Sequence, residues 1–169
     1  QQKQMKGIVN EFAIRGNLPK LVTVETNATK PLRKDLADWL NDFYHDMGGQ
    51  WHWAMSPKLF QTSGEVGTVK MDVVMSYMEG VPGSTGICKF VCNGTEASWN
   101  EIEEFVQELD EYHKTVADKV KKPDIWIMPV GATKEQQETV ADIANEAMRR
   151  GYKVATRNHA YVYGNQIGT

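Results

Sequence analysis

The sequence has few cysteines, no long apolar run and no excess of positive charge. Two cysteines among 169 residues cannot form a disulfide framework, so a reducing, cytoplasmic compartment is expected. No apolar stretch approaches the roughly 20 residues of a membrane-spanning helix, so no membrane partner is expected. The net charge of −3 argues against a nucleic-acid binder, because such proteins draw most of their affinity from lysine and arginine.

Several common catalytic motifs are also missing, including the phosphate-binding, dinucleotide-binding, serine-hydrolase and zinc-protease patterns. Cys88 and Cys92 are spaced as Cys-x-x-x-Cys, but residues four apart on a strand lie about 13 Å apart, too far to share one metal ion. We expect both cysteines to be small apolar side chains that face the helices. The residues themselves indicate no metal site and no catalytic residue within this sequence.

The remaining composition, 41% hydrophobic and 24% charged, is that of one globular domain spanning residues 1–169. Short runs rich in β-branched or aromatic residues predict strands that begin roughly 30 residues apart, with helices between them, as in βα units. The sequence therefore predicts an α/β fold with mainly parallel strands, as a sheet or a partial barrel. The predicted strands are Leu21–Thr26, His52–Ser56, Ile87–Cys92, Ile125–Pro129 and Lys153–Tyr163.

The predicted helices follow from apolar residues at helical spacing and from capping residues. Ser98, with Glu101 three residues later, indicates a capping box at the start of the third of the four helices between strands. The predicted helices span residues 1–15, Leu32–Met47 ending at Gly48, Val69–Met78, a segment starting at Ser98, and a segment from Thr133 to Gly151.

Parallel βα folds bind ligands at the carboxyl ends of their strands. The last predicted strand carries Arg157 and His159, both candidates for an anionic or heterocyclic ligand, and His159 is equally compatible with a structural role. Lys58 and Lys89 are each expected to meet a carboxylate or a ligand if they point into a barrel. His45 and His113 are expected at the surface, and His52 is expected to be structural.

The segments at the predicted strand ends resemble, in order, those of the 7-carboxy-7-deazaguanine synthases, a family of radical S-adenosylmethionine enzymes. Val24–Thr29 resembles the family's Glu-Thr-Asn-Gly-Thr segment, and Ser56–Lys58 matches its Ser-Pro-Lys. Cys88–Val91 is similar to its Leu-Lys-Phe-Val, and Ile127–Thr133 to its Met-Pro-Glu-Gly. Arg157–His159, followed by the stretch from Tyr163 to Thr169, resembles the family's Arg-Leu-His and Gly-Asn terminus.

The resemblance implies a partial (β/α) barrel of the radical S-adenosylmethionine type, with helices on its outside. It implies the conversion of 6-carboxy-5,6,7,8-tetrahydropterin to 7-carboxy-7-deazaguanine, a carbon–nitrogen lyase step toward queuosine and related 7-deazapurines. S-adenosylmethionine is the implied cosubstrate, while the 4Fe–4S cluster and Mg²⁺ are expected only in a full-length protein. The family's cluster motif is not in this sequence, so we expect the carboxyl two thirds of a synthase, inactive alone.

The resemblance also assigns residues. Thr26, His159 and the terminal carboxylate of Thr169 would contact the pterin. Ala28 replaces a family glycine, and Val130 replaces a family glutamate. The residues that would bind S-adenosylmethionine are Ala28, Ser56, Pro57, Lys58, Met128, Pro129, Val130 and Gly131.

Two alternatives remain open at this point. The chain is also compatible with another radical-activating enzyme of the same superfamily, which would not need the terminal carboxylate. It is further compatible with a non-catalytic half-barrel that dimerises, because a barrel opened at one edge exposes unpaired strand groups. A homodimer is the expected assembly.

Overall fold

A five-stranded, all-parallel sheet forms the centre of the fold in the computed structural model, which describes residues 2–44, 47–131, 140–158 and 162. The strands lie side by side in the order of the sequence, so each βα unit places its strand next to the preceding one. A doubly wound sheet would reverse its strand order partway, and this sheet does not. The strands are β1 (Leu21–Thr26), β2 (Gln50–Met55), β3 (Thr85–Cys92), β4 (Asp124–Pro129) and β5 (Lys153–Val154).

Helices precede the sheet and connect its strands, which confirms the predicted α/β class. None of the helices that the structure describes has the length and apolar character needed to cross a membrane. The predicted start of the last helix, at Thr133, lies outside the described residues. The helices are α1 (Gln2–Ile14), α2 (Lys34–Trp39) with a π-helical turn at Leu40–Tyr44, α3 (Phe60–Ser63), α4 (Met71–Gly80), α5 (Glu96–Val116) and α6 (Val140–Arg149).

One face of the sheet packs against the helices. The ring of Trp53 on β2 lies 4.9 Å from that of Tyr77 on α4, and the ring of Phe90 on β3 lies 5.1 Å from that of Phe105 on α5, both edge to face. Side chains alternate along a strand, so the neighbours of Phe90 project from the opposite face. Lys89 and Val91 are accordingly only partly buried. This second face of the sheet therefore carries an accessible charged group, Lys89, near the carboxyl ends of the strands.

The start of α5 differs from the prediction. Thr95, and not Ser98, caps the helix, and its Oγ1 accepts a hydrogen bond from the Ser98 backbone N–H at 3.3 Å. Ser98 is fully buried in the first turn. The capping-box prediction for Ser98 is wrong because the Glu101 carboxylate bonds to the backbone of another helix, α3.

The last strand is shorter than predicted and ends at Val154. The Ala155 N–H still donates to the Ile127 carbonyl at 2.8 Å, but beyond it Thr156 Oγ1 donates to Asn158 Oδ1 at 2.7 Å. Such local side-chain bonds compete with strand pairing. Arg157 therefore lies in a loop after the sheet, whereas the prediction placed it within a strand.

The cysteine prediction is confirmed and one histidine prediction is wrong. Cys88 and Cys92 are fully buried free thiols on the helix-facing side of β3. His113 was expected at the surface, but its ring is half-buried and its Nε2 shares a hydrogen bond with the Val120 carbonyl at 2.8 Å. His52 Nδ1 shares one with Thr85 Oγ1 at 2.7 Å, which agrees with a structural role. His45 lies outside the described residues.

Candidate functional site

A cleft of about 440 Å³ lies where β1, β2, β3 and β4 end. Its volume falls within the roughly 300–1,000 Å³ typical of small-molecule sites. Residues from several separate strand-end segments meet there, as expected for a parallel βα fold. The cleft is lined by Asn27, Ser56, Pro57, Lys58, Thr62, Ser63, Glu65, Lys89, Val91, Val130 and Arg157.

Backbone pairing continues one residue beyond two of the strands and positions the rim of the cleft. The Ser56 N–H donates to the Thr26 carbonyl at 2.7 Å, and the Val130 N–H donates to the Cys92 carbonyl, also at 2.7 Å. These bonds hold both residues against the neighbouring strand. The ladder of the sheet therefore sets the places of Ser56 and Val130 in the cleft.

One wall of the cleft is the short helix α3, which the sequence patterns did not indicate. The Glu101 carboxylate of α5 accepts hydrogen bonds from the backbone N–H groups of Phe60, at 2.7 Å, and Gln61, at 3.2 Å. This supplies, from another helix, the cap that α3 lacks in its own sequence. Thr62 Oγ1 also donates to the Val91 carbonyl at 3.2 Å. The one local signal for α3 is Gly64, which ends it with a φ of 72°.

The charges that line the cleft are mostly positive, although the whole chain carries −3. Lys58 pairs with Glu65 at 3.1 Å. Lys89 reaches Glu25 only at 4.0 Å, and the Glu25 side chain is 80% exposed, so solvent screens that pair. Arg157 adds a third cation. The prediction that both lysines meet a carboxylate or a ligand agrees with these pairs, although the Lys89 contact is long.

Arg157 and two neighbouring polar side chains have no partner within the described part of the chain. Arg157 Nε is buried and makes no hydrogen bond. The side chains of Ser56 and Asn27 likewise form no hydrogen bond among the described residues. The cleft thus contains a guanidinium, a hydroxyl and an amide able to donate to a bound group.

Thr26 and Ala28 do not line this cleft. Thr26 lies with Val24, Trp53 and Tyr77 at a second cavity of about 370 Å³, beneath α1 on the helix-covered face. Its Oγ1 accepts a hydrogen bond from the Ala28 N–H at 3.1 Å. Ala28 is fully buried and has a φ of 48°, a left-handed conformation that favours glycine. Ala28 therefore has a strained backbone conformation, and its methyl group is not part of the cleft lining.

The remaining predicted residues divide between the cleft and other places. Ser56, Pro57, Lys58 and Val130 are brought together at the cleft. Met128 is partly buried and pairs in register with Val91, which lines the cleft. Pro129 and Gly131 are buried and are not part of the lining. His159 and Thr169 lie outside the described residues.

The described residues do not fit an iron–sulfur cluster. No group of three or more histidine, cysteine or acidic side chains suited to a metal ion occurs among them. Burial raises the pKa of the Cys88 thiol to about 12, and it also raises the pKa of Cys92. Cluster ligands must be thiolates, so these two buried thiols are unsuited to that role.

Comparison with protein-family models, with curated proteins and with solved structures gave no match for this chain.

Proposed function

We propose that this chain is the cosubstrate- and substrate-binding part of an enzyme similar to the 7-carboxy-7-deazaguanine synthases. In this proposal the cleft binds S-adenosylmethionine, and 6-carboxy-5,6,7,8-tetrahydropterin is the substrate. The observation that carries the proposal is the meeting of Ser56, Pro57, Lys58 and Val130 at one cleft. These residues come from two of the segments on which the resemblance rests, and they are separated by more than seventy positions in the sequence.

The order of the strands supports the same proposal. A parallel sheet whose strands follow the sequence, with an accessible face opposite the helices, is the arrangement of part of a β/α barrel. The radical S-adenosylmethionine barrel is the finer type that we propose. A reducing, cytoplasmic setting is proposed as well, because Cys88 and Cys92 are both free thiols and form no disulfide.

The chain's own residues would bind and position the two small molecules. A 4Fe–4S cluster would be the reductant in such an enzyme, and the described residues provide no ligand set for it. Ser56 would donate a hydrogen bond from its hydroxyl, while Pro57 and Val130 would provide apolar walls that exclude water. The Mg²⁺ of the family reaction would likewise need ligands from elsewhere.

Isothermal titration calorimetry of S-adenosylmethionine into the purified chain tests the proposal. We expect saturable binding, and we expect Ser56→Leu to weaken it at least about tenfold because a bulky side chain fills the cleft. Thr115→Leu, on the exposed surface of α5, is the matched control and should leave binding unchanged. No binding of S-adenosylmethionine to a chain that circular dichroism shows to be folded would overturn the proposal.

The substrate arm uses the same measurement with 6-carboxy-5,6,7,8-tetrahydropterin. Thr26→Val retains the shape of the side chain but removes its hydroxyl oxygen, which accepts the bond from Ala28. Thr26 lines the second cavity and not the cleft, so weaker pterin binding in this variant, with S-adenosylmethionine binding intact, would place the pterin in the second cavity. Equal pterin affinity in both proteins would remove Thr26 from the proposed site.

A second candidate is self-association, with or without catalysis. Ile8, Phe12 and Ile14 of α1 are 57%, 47% and 80% exposed, and Leu21 on the edge strand β1 is 54% exposed. An apolar surface beside an open sheet edge favours a homodimer. Sedimentation equilibrium should show a dimer that Phe12→Glu dissociates and Gln107→Glu, on α5, does not. A wild-type chain that stays monomeric would rule this candidate out.

A further inference from the structure

Arg157, which has no partner among the described residues, indicates the charge of the ligand of the cleft. Of the five arginines in the sequence, Arg15, Arg33, Arg149 and Arg150 each pair with a carboxylate. Arg157, the fifth, has neither an ionic nor a hydrogen-bonded partner within the described residues, although its Nε is buried. Burying part of a guanidinium without a partner costs free energy that a bound anion would recover.

We propose that the cleft binds an oxyanion, a carboxylate or a phosphate group, with Arg157 as its anchoring residue. The planar fork of a guanidinium matches both groups bidentately. The Ser56 hydroxyl and the Asn27 amide, both without partners among the described residues, add donors from the carboxyl ends of two neighbouring strands. This inference rests on the charges of the cleft and does not require the proposed synthase activity.

The electrostatics of the cleft favour an anion. Lys58, Lys89 and Arg157 line it, and Glu65 is the one carboxylate among the described residues of the lining. The exposed Glu25 neutralises Lys89 only weakly, across 4.0 Å. A local excess of positive charge in a chain of net charge −3 attracts anions to this cleft over the rest of the surface. The ligand is therefore a small molecule with at least one negatively charged oxygen group.

The test titrates inorganic phosphate, S-adenosylmethionine and 5′-methylthioadenosine into the chain, into Arg157→Gln and into Arg15→Gln. The last variant loses a surface arginine that pairs with Glu11 on α1 and serves as the control. We expect saturable phosphate binding that weakens about tenfold or more in Arg157→Gln, remains in Arg15→Gln and declines with added chloride. Arg157→Lys, which keeps the charge but loses the fork, should fall between them.

The ligand arms identify the source of the oxyanion. Tighter binding of S-adenosylmethionine than of 5′-methylthioadenosine, lost in Arg157→Gln, assigns the site to an amino-acid carboxylate. If phosphate binding is saturable and the affinities for S-adenosylmethionine and 5′-methylthioadenosine are equal, the site is assigned to a phosphate group. Binding of every probe unchanged by Arg157→Gln overturns the inference while leaving the proposed synthase intact. If the chain binds phosphate through Arg157 but does not bind S-adenosylmethionine, the inference is supported and the proposed function is overturned.

Discussion

The guanidinium of Arg150 lies over the indole ring of Trp99, with 4.9 Å between the guanidinium carbon and the ring centroid. Trp99 belongs to the first turn of α5 and is buried, while Arg150 follows the last residue of α6. The same guanidinium pairs with Glu146 and Glu103, and reaches Glu96 at 3.5 Å. One side chain therefore joins two helices that are distant in the sequence.

This arrangement predicts different costs for two adjacent arginines. Arg150→Met should lower the free energy of unfolding by about 2 kcal/mol, because it removes a cation–π contact and pairs between two helices. Arg149→Met should leave the free energy of unfolding nearly unchanged, because the Arg149 side chain is 70% exposed and pairs only within its own helix. Urea unfolding measures both. Equal losses in the two variants would contradict the proposed role of Arg150.

The carboxyl group of Glu146 predicts a pH dependence of stability. Hydrogen bonds from Arg149 and Arg150 lower its pKa to about 2, whereas an unfolded chain has a value near 4.3. A depressed pKa stabilises the fold above the unfolded value, and this contribution is lost as the pH falls from about 4.5 toward 2. The free energy of unfolding of the wild-type chain should therefore be higher than that of Glu146→Gln at neutral pH. The difference should decrease as the pH falls from about 4.5 toward 2. A difference that is constant with pH would contradict the ion pairs.

The two cysteines should not react with thiol reagents in the folded chain. Both are buried, and burial raises the pKa of Cys88 to about 12 and raises that of Cys92. At about pH 8 the native protein should not react with Ellman's reagent, whereas the denatured protein should react at both thiols. A Glu111→Cys variant, exposed on α5, should react at once and serves as the control. Rapid labelling of the native wild-type chain would show that β3 is not packed as described.

The left-handed conformation of Ala28 predicts a steep dependence on side-chain size. Ala28→Val should lower the free energy of unfolding by about 3 kcal/mol, because a β-branched residue is strained at a φ of 48° and the site is fully buried. Ala28→Gly should stay within about 1 kcal/mol of the wild type, since relief of strain offsets the lost methyl contacts. Ala97→Val, at an exposed position of α5, is the control for β-branching and should cost about 0.5 kcal/mol.

The bond between Glu101 and α3 predicts that the wall of the cleft depends on a distant helix. Glu101→Gln removes a charged acceptor from the Phe60 and Gln61 N–H groups, at a cost of about 1 kcal/mol. Hydrogen exchange of these two amides should speed up, while Glu104→Gln, exposed on α5, should leave both rates unchanged. Unchanged exchange in Glu101→Gln would show that α3 forms without this cap.

Patterns that depend on nearby residues were predictable from the sequence. The β-branched and aromatic residues in Leu21–Thr26 and Ile87–Cys92 predicted strands where β1 and β3 lie, and the spacing of the strands predicted a parallel sheet. The start of α5 and the end of β5 were predicted wrongly. In both cases a local hydrogen bond competed with the pattern that the sequence suggested: Thr95 Oγ1 accepts one from the Ser98 N–H, and Thr156 Oγ1 donates one to Asn158.

The cleft was only partly predictable. Ser56 to Lys58 and Val130 could be named in advance, because residues at the carboxyl ends of parallel strands meet at one edge. The wall formed by Thr62 and Ser63 could not, because α3 is held by a carboxylate that lies forty positions further along the chain. Sequence periodicity carries no information about such a partner.

The sequence alone determined the succession of strands and helices, because hydrophobic spacing and turn residues act over short distances. It also determined that Cys88 and Cys92 could not share a metal ion. The tertiary structure decided which polar groups have partners and which do not. Four arginines form ion pairs with carboxylates, whereas Arg157 forms none with the described residues. Such pairs form between side chains that only the folded backbone brings together.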